Sequence, residues 1–290
     1  MQPLKTVYSV PTDYGAFQSL YLDSTVQPRR LRPNLLFLNS DGSINFETNQ
    51  IGLKGGPVDP SRAQAVVWGD SVAFGLRSGW PALLDELVPG YQFLNGGIEG
   101  DVWNTILERA TKFNGELAIG LNLVMLGWHD SNDSLADRLT AALPGLPDPV
   151  MLTVPTALNR RNFDQDISAY LRPGLRGPLD FDTAFWFGGG LEYSLELQIH
   201  YYEKITARNS IAREVAARLE VPVIDLFSAL DSEALPDFRE DFYDIFHPRP
   251  SAYPKIARVV AEGLTPLLAP KLENSPFISY QAAGQRSQEP

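Results

Sequence analysis

The apolar residues in the middle of the chain form short continuous runs, each followed by a glycine or a proline. The four runs are AVVW (65–68), YQFLN (91–95), LNLVML (121–126) and VMLTV (150–154). Continuous apolar runs, in contrast to alternating ones, are typical of strands that are buried on both faces of a parallel sheet. Apolar residues at helical spacing follow the first two runs. The pattern therefore predicts repeated strand–turn–helix units and the α/β class.

The C-terminal half continues this alternation. It predicts a long helix from about residue 192 to Arg218, a strand VPVIDLF (221–227) and a closing helix over about 251–268. An irregular stretch, 157–200, interrupts the rhythm and is rich in Arg, Asp, Gly and aromatic residues. Insertions of this size in an α/β domain are usually lids or substrate walls.

The two ends of the chain differ from the middle in composition and in hydrophobic pattern. Residues 1–60 contain scattered aromatic residues and prolines, and the turn Ser40-Asp41-Gly42 separates two short apolar runs, which predicts a β-hairpin. We therefore expect a small N-terminal extension (1–60) that packs on a main domain (61–270). The last residues, 271–290, lack periodicity and are expected to be a flexible tail.

Ser71 is the first candidate for chemistry. It follows the run that ends at Gly69 and opens the next helix, so it lies at the carboxyl edge of the sheet, where open α/β folds bind ligands. Backbone N–H groups at a helix start face any negative charge that develops beside them. The alternative is that Asp70 or Ser71 only caps the helix.

Asp244 and His247 form the second candidate, in the segment DFYDIFHPRP. A carboxylate three residues before a histidine can reach the imidazole, fix its tautomer and stabilise its charged form. The chain has 3 histidines, and in the pair His129–Asp130 the direct succession gives a poorer geometry. The alternative is an exposed turn before a proline.

Two more loops follow predicted strands on the same edge. One is NGGIEGD (95–101), with Asn95, Gly97 and Gly100 in an N-x-G-x-x-G spacing, and the other is GWHDSND (127–133). Loops after successive parallel strands converge, so Ser71, these loops and the Asp244–His247 turn can meet at one site.

Composition narrows the class of function. The 35 acidic residues exceed the 24 basic ones, and a net charge of -11 disfavours nucleic acid or an anionic membrane as a partner. The absence of cysteine excludes a disulfide scaffold, a Cys-ligated metal and a cysteine nucleophile. The histidines show no metal-binding spacing and no phosphate-binding loop motif is present, so we expect no metal and no cofactor. Without an apolar run suited to a signal peptide or a membrane span, we expect a cytoplasmic protein.

The ordered set of motifs resembles the four blocks of the SGNH (GDSL-type) hydrolase family: GDS, N-x-G-x-x-G, G-x-x-D and D-x-x-H, over about residues 61–268. The stretch ETNQIGLKGG before them also looks like the lead-in of some bacterial members. The resemblance implies a flavodoxin-like, three-layer α/β/α sandwich with a parallel sheet. It also implies a serine esterase in which Ser71 is the nucleophile, His247 the base and Asp244 the residue that orients His247. The N–H groups of Ser71 and Gly100 match two oxyanion donors.

One position departs from the family. The third block normally reads G-x-N-D, and here His129 stands where that asparagine supplies a third oxyanion donor. A neutral imidazole donates one N–H, so His129 can fill the role. Asn132 is an alternative donor, and loss of the third donor is another.

Three functions are compatible with these residues. The first is an esterase acting on a small-molecule or carbohydrate ester through an acyl-enzyme. The second is an O-acyltransferase with the same triad. The third is a weakly active or inactive ligand-binding relative. An α/β-hydrolase elbow around Ser71 is disfavoured because that fold usually places its acid and its base on separate loops.

Overall fold

In a computed structural model of the chain, the described residues are 4–9, 14–75, 78–129, 131–160, 162–164, 194–232 and 241–273. Most of the insertion 157–200 and nearly all of the predicted tail therefore lie outside the described residues.

The main domain is built on a parallel five-stranded sheet. Its strands are β6 (Ala63–Gly69), β7 (Tyr91–Gly97), β8 (Ile119–Met125), β9 (Pro149–Leu152) and β10 (Val223–Ile224). Their order across the sheet is β10-β9-β8-β6-β7. The register between the two central strands pairs Val67 with Leu123 and Trp68 with Val124. The four central apolar runs are thus strands, as the sequence predicts.

Helices cover both faces of this sheet. They are α2 (Ser71–Phe74), α3 (Leu84–Leu87), α4 (Trp103–Glu116), α5 (Leu135–Ala142), α6 (Leu195–Arg218), α7 (Leu226–Ser232) and α8 (Tyr253–Glu273). Successive side chains of a strand point to opposite faces. Val67 accordingly packs in one apolar cluster with residues of α3, α7 and α8, and Val66 packs in a second with residues of α4 and α5. The result is the predicted three-layer α/β/α sandwich.

The N-terminal residues form a second, smaller sheet. It contains β1 (Thr6–Ser9), β4 (Leu35–Leu38) and β5 (Ile44–Glu47), beside a short pair, β2 (Leu22–Asp23) and β3 (Arg30–Leu31), that follows α1 (Tyr14–Tyr21). β4 and β5 are the predicted antiparallel hairpin. Strand β1 pairs in parallel with β4, a long-range pairing that the hairpin pattern does not reveal.

The chain between the small sheet and β6 joins the edge of the main sheet. The N–H of Lys54 donates to the carbonyl of Asn95 (2.9 Å), and the N–H of Asn95 donates back to the carbonyl of Lys54 (3.1 Å). This antiparallel bridge attaches residues from before the main domain to the strand β7, beside the loops that follow the sheet.

Two predicted elements differ in extent. The strand expected over 221–227 covers only Val223–Ile224, because Asp225 accepts the N–H of Ser228 (3.1 Å) and α7 begins at Leu226. The helical spacing after the first run, through Trp80, Leu83, Leu84 and Leu87, predicts one helix. The structure begins there with a 3-10 turn, Trp80–Leu83, with a proline near its start, and α3 follows it. In the described ranges, no helix has both the length and the apolar character needed to cross a membrane.

Candidate active site

The turn between β6 and α2 presents Ser71 at the carboxyl edge of the sheet. The preceding residue, Asp70, is fully buried and uses both carboxylate oxygens. Oδ1 accepts the N–H of Val72 (2.9 Å) and caps the helix, and Oδ2 accepts the N–H of Trp128 (3.1 Å). Burial raises the pKa of Asp70, against the opposing charge of His129. The cap expected from the sequence is therefore present, and it also connects the GDS turn to the loop after β8.

Ser71, His247 and Asp244 form a continuous hydrogen-bonded chain. Ser71 Oγ lies 2.9 Å from His247 Nε2, and His247 Nδ1 lies 2.6 Å from Asp244 Oδ2. The other carboxylate oxygen, Oδ1, accepts the N–H groups of Phe246 (2.7 Å) and His247 (2.8 Å). All three side chains are buried. The structure thus brings together Ser71 and His247, which are 176 positions apart, and places the Asp244 carboxylate on the other side of the imidazole.

The electrostatics of these three hydrogen-bonded residues suit proton transfer. Burial alone would lower the pKa of His247, but the charge and hydrogen bond of Asp244 outweigh it and raise that pKa above its ordinary value. Burial alone would raise the pKa of Asp244, but His247 and the two backbone N–H groups lower it. At neutral pH, Asp244 is therefore ionised and stabilises the positive charge that His247 acquires when it accepts a proton.

The end of β7 and the loop after it pack against the serine turn. Asn95 donates through Nδ2 to the carbonyls of Ala73 and Phe74 (both 3.0 Å), while its Oδ1 accepts the N–H of Gly97 (2.9 Å). A Cβ at Gly97 would lie 2.4 Å from the nitrogen of Phe74, so this close approach requires glycine. Gly100 has a φ of +64°, and its own carbonyl accepts a hydrogen bond from Arg29 Nη2 (3.1 Å). The predicted N-x-G-x-x-G block is thus a structural partner of the Ser71 turn.

The loop after β8 packs against the turn that carries His247. The ring of Trp128 stacks on that of Phe246, with centroids 3.9 Å apart and 4° between planes. The ring of His129 is half-buried and lies 3.9 Å from that of Trp128. Gly127 has a φ of +73°, and a Cβ there would lie 2.3 Å from Asp70 Oδ2. The G-x-x-D block is therefore in contact with both the GDS turn and the segment that carries Asp244 and His247.

Asn132, the alternative oxyanion donor, holds this loop to α6. Its Nδ2 donates to the carbonyl of Lys204 (3.1 Å), and its Oδ1 accepts Arg208 Nε (2.8 Å). These two bonds hold the amide toward the helix, which speaks against Asn132 as an oxyanion donor.

Sequence reasoning missed three buried cations around the site: Lys54, Arg109 and Arg208. Each donates to backbone carbonyls at the carboxyl edge of the sheet or in the turns that follow it. Arg109 pairs with Asp101 and donates through Nη2 to Gly96 (2.9 Å) and Gly69 (3.2 Å). Arg208 donates through Nη1 to the carbonyl of Gly127 (2.8 Å).

Arg109 and Arg208 gave no sequence signal, because each lies inside a helix that carries several other charged residues. For Lys54 a signal was present, since ETNQIGLKGG already stood out as the lead-in to the blocks.

Comparison with solved structures identifies the fold. A catalytic mutant of Axe2, an acetylxylan esterase from Geobacillus stearothermophilus, is similar over 70% of this chain and 94% of its own, with 13% identity and a TM-score of 0.52. A lipolytic protein of the G-D-S-L family from Veillonella parvula covers 69% of this chain and 97% of its own at 15% identity, with a TM-score of 0.47. A lipase/acylhydrolase from Enterococcus faecalis covers 70% and 95% at 17% identity, with a TM-score of 0.47.

At these identities the likeness concerns the fold. This chain has the three-layer α/β/α fold of the SGNH hydrolases. No protein-family model matches the chain, and none of the curated proteins matches it in sequence.

Proposed function

We propose that this protein is a serine esterase that cleaves carboxylic esters through an acyl-enzyme. The observation that carries the proposal is the hydrogen-bonded chain Ser71–His247–Asp244 at the carboxyl edge of the sheet. An unassisted serine hydroxyl is a weak nucleophile near neutral pH, and an adjacent base oriented by a third group is the usual means of activating it. The fold shared with an acetylxylan esterase supports the same class of reaction.

The reaction proceeds in two halves. In the first, Ser71 Oγ attacks the ester carbonyl while His247 Nε2 takes its proton, and the tetrahedral intermediate collapses as His247 returns that proton to the departing alcohol. In the second, His247 takes a proton from water, which attacks the acyl-serine, and then gives the proton to Ser71 as the acid leaves. Asp244 remains ionised and stabilises the imidazolium in both halves.

The negative charge on the carbonyl oxygen needs hydrogen-bond donors that are already in place. We assign the backbone N–H groups of Ser71 and Gly100 as two of them and the ring of His129 as the third. The assignment of His129 is supported by its place on a loop that is fixed to the serine turn through Asp70 and to the histidine turn through Trp128.

The proposed substrates are acyl esters of a small molecule or a carbohydrate, and the chemistry requires no metal or cofactor. Purified protein is tested on p-nitrophenyl acetate beside Ser71→Ala, with and without added alcohols or sugars. Turnover that requires Ser71 supports an esterase. Acyl transfer to the acceptor in preference to water would indicate an acyltransferase, and absence of turnover on a panel of esters would indicate a ligand-binding relative.

Replacing His129 by alanine should lower kcat by about 10²–10³-fold with little change in KM. The contact strengthens only as charge develops on the oxygen, so ground-state binding hardly depends on it. His129→Asn restores the amide that the family usually has at this position and should retain more activity than His129→Ala. The measurement is steady-state kinetics on one ester with all variants.

Asn132→Ala is the matched comparison for His129→Ala. If Asn132 were the donor, its replacement would lower kcat as strongly and His129→Ala would be mild. Because Asn132 bonds to Arg208 and Lys204, the unfolding temperature of Asn132→Ala is measured as well, which separates a loosened loop from a lost donor.

The rate of hydrolysis should fall at acid pH because His247 must be neutral to act as a base. Since the pKa of His247 lies above its ordinary value, the acid limb of kcat/KM should lie above the range of a free imidazole. Asp244→Asn removes the charge that raises this pKa, and its limb should move to lower pH as kcat falls. A profile that is flat between about pH 5 and 8 would contradict a histidine base.

A further inference from the structure

Lys54 is a buried cation whose ammonium binds the end of the helix that begins at Ser71. Its side chain is 1% exposed, and Nζ donates to the carbonyls of Phe74 (2.8 Å) and Gly75 (2.9 Å). The ammonium also lies 3.8 Å from the centroid of the Phe74 ring. A positive charge is favourable at this place because carbonyls at the end of a helix have no partner within it.

The backbone of Lys54 is fixed to the edge of the main sheet by its two hydrogen bonds with Asn95. Asn95 in turn donates through its side chain to the carbonyl of Phe74 (3.0 Å). The Phe74 carbonyl therefore receives one donor from Lys54 and one from Asn95, and both donors are anchored to the same strand, β7.

The distance from these carbonyls to the nucleophile is one helical turn. α2 contains only Ser71–Phe74, and the N–H of Gly75 donates to the carbonyl of Ser71 (2.9 Å). A shift of the end of this helix is thus transmitted directly to the residue that must hold its hydroxyl against His247. Shifts of an ångström in a reacting group are enough to slow an enzyme about 10²-fold.

We propose that Lys54 is a positioning residue of the active site, whose ammonium holds the end of the serine-bearing helix through the carbonyls of Phe74 and Gly75 and keeps Ser71 in register with His247. The proposal rests on the proposed esterase function. It assigns to the segment before the main domain a part in the reaction, although that segment contributes none of the triad.

The charge of Lys54 is sensitive to pH near neutrality. Burial lowers the pKa of Lys54 to about 7, against the opposing effect of the Glu99 carboxylate. Glu99 is itself buried and accepts the hydroxyl of Tyr21 from α1. Loss of the proton leaves a neutral amine whose bonds to the two carbonyls are no longer assisted by charge and are weaker. Activity should therefore have a component that decreases as pH rises past about 7.

The first test compares Lys54→Met with Lys112→Met. Lys112 is exposed on α4, so its replacement removes the same charge without touching the serine turn. Lys54→Met should lower kcat by about 10- to 100-fold with KM nearly unchanged. Lys112→Met should behave as the wild type. An unchanged kcat in a folded Lys54→Met variant would overturn the proposal.

The second test uses Lys54→Arg, because a guanidinium does not lose its proton in this range. Both proteins share the titration of His247, so its effect cancels when the wild-type kcat is divided by the kcat of Lys54→Arg at each pH. This ratio should be constant at low pH and fall above about pH 7. A ratio that does not change with pH would show that the proton on Lys54 has no effect on the reaction.

A measurement of stability separates positioning from a merely structural role. Lys54 has a lower pKa in the folded chain than in the unfolded one, so between about 7 and 10.5 the unfolded chain binds more protons. Its contribution to stability therefore increases as pH rises through that window, whereas its contribution to kcat decreases. The difference in unfolding free energy between wild type and Lys54→Met should grow with pH as their kcat values converge. If the stability difference and the kcat difference between wild type and Lys54→Met changed with pH in the same direction, the role of Lys54 would be structural.

If Lys54→Arg does not fold, a chemical rescue tests whether the positive charge at position 54 is needed for kcat. The chain has no cysteine, so Lys54→Cys carries a single thiol. Alkylation in denaturant with 2-bromoethylamine and refolding restores an ammonium at the end of a side chain of lysine length, and 1-bromopropane gives a neutral side chain of the same length. Only the first product should regain kcat, and equal activity of the two would overturn the role of the charge. Ser71→Ala is measured beside every Lys54 variant as the test of the proposed esterase function. Hydrolysis that depends on Ser71 but not on Lys54 contradicts the positioning role of Lys54 and leaves the esterase function intact.

Discussion

Replacing Ser71 by alanine should abolish ester hydrolysis, with kcat lowered by about 10⁴-fold or more. The Ser71 hydroxyl lies 2.9 Å from His247 Nε2, within reach of the proposed base. Without it no acyl-enzyme forms, and the oxyanion donors can assist only a direct attack by water. The measurement is steady-state hydrolysis of p-nitrophenyl acetate, combined with mass spectrometry after reaction with a fluorophosphonate that labels activated serines.

The fold should survive this substitution because the change removes a single oxygen atom. Ser78→Ala is the matched control, since Ser78 is exposed and lies a few residues further along the same connection. It should retain both turnover and labelling at Ser71. Turnover by Ser71→Ala within a few-fold of the wild type, in a sample free of other hydrolases, would refute the assignment of the nucleophile.

The parts of the site that the sequence predicted are those in which local pattern and chemistry coincide. A buried strand ending at Gly69 places Ser71 at the sheet edge, and a spacing of three residues lets Asp244 reach His247 within one turn. Parallel strands then bring these segments together whatever the details of packing. The order of the motifs was therefore enough to predict both the fold class and the meeting of the three residues.

The supporting contacts could not be predicted because they depend on tertiary packing. Arg208 belongs to a long helix in which most charged residues are solvated, and nothing in the local pattern indicates that its guanidinium reaches the carbonyl of Gly127. Likewise, the parallel pairing of β1 with β4 joins segments that are separated by α1 and by the pair β2 and β3. The resemblance to the family also could not decide between His129 and Asn132. The bonds from Asn132 to Lys204 and Arg208 provide evidence against Asn132 as the donor.

Replacing His247 by alanine should be as damaging as replacing Ser71, with kcat again lower by about 10⁴-fold or more. Ser71 would keep its place at the sheet edge but lose the base that accepts its proton. The same loss should appear as slow labelling of Ser71 by the fluorophosphonate. His200→Ala is the matched control, because His200 is exposed on α6 and its loss should leave kcat unchanged.

Stability has to be measured beside activity for this variant. The imidazole is buried against Asp244, and its removal leaves that buried carboxylate without a hydrogen-bond partner on Oδ2. Such a loss commonly costs a few kcal/mol. His247→Gln keeps much of the volume without supplying a base of suitable pKa, so it should be equally inactive and closer to the wild type in unfolding temperature. An active His247→Gln would show that another group accepts the proton.

The double variant Ser71→Ala with His247→Ala distinguishes a true catalytic unit from two residues that matter separately. If His247 acts only by taking and returning the proton of Ser71, then once the serine is absent the histidine has nothing left to assist. The double variant should then be no slower than either single one. Independent contributions would instead multiply, and kcat would fall by about the product of the two single losses. A multiplicative loss would mean that His247 serves the reaction by some route other than Ser71, and the chain of hydrogen bonds from Asp244 to the serine would not be the catalytic machinery.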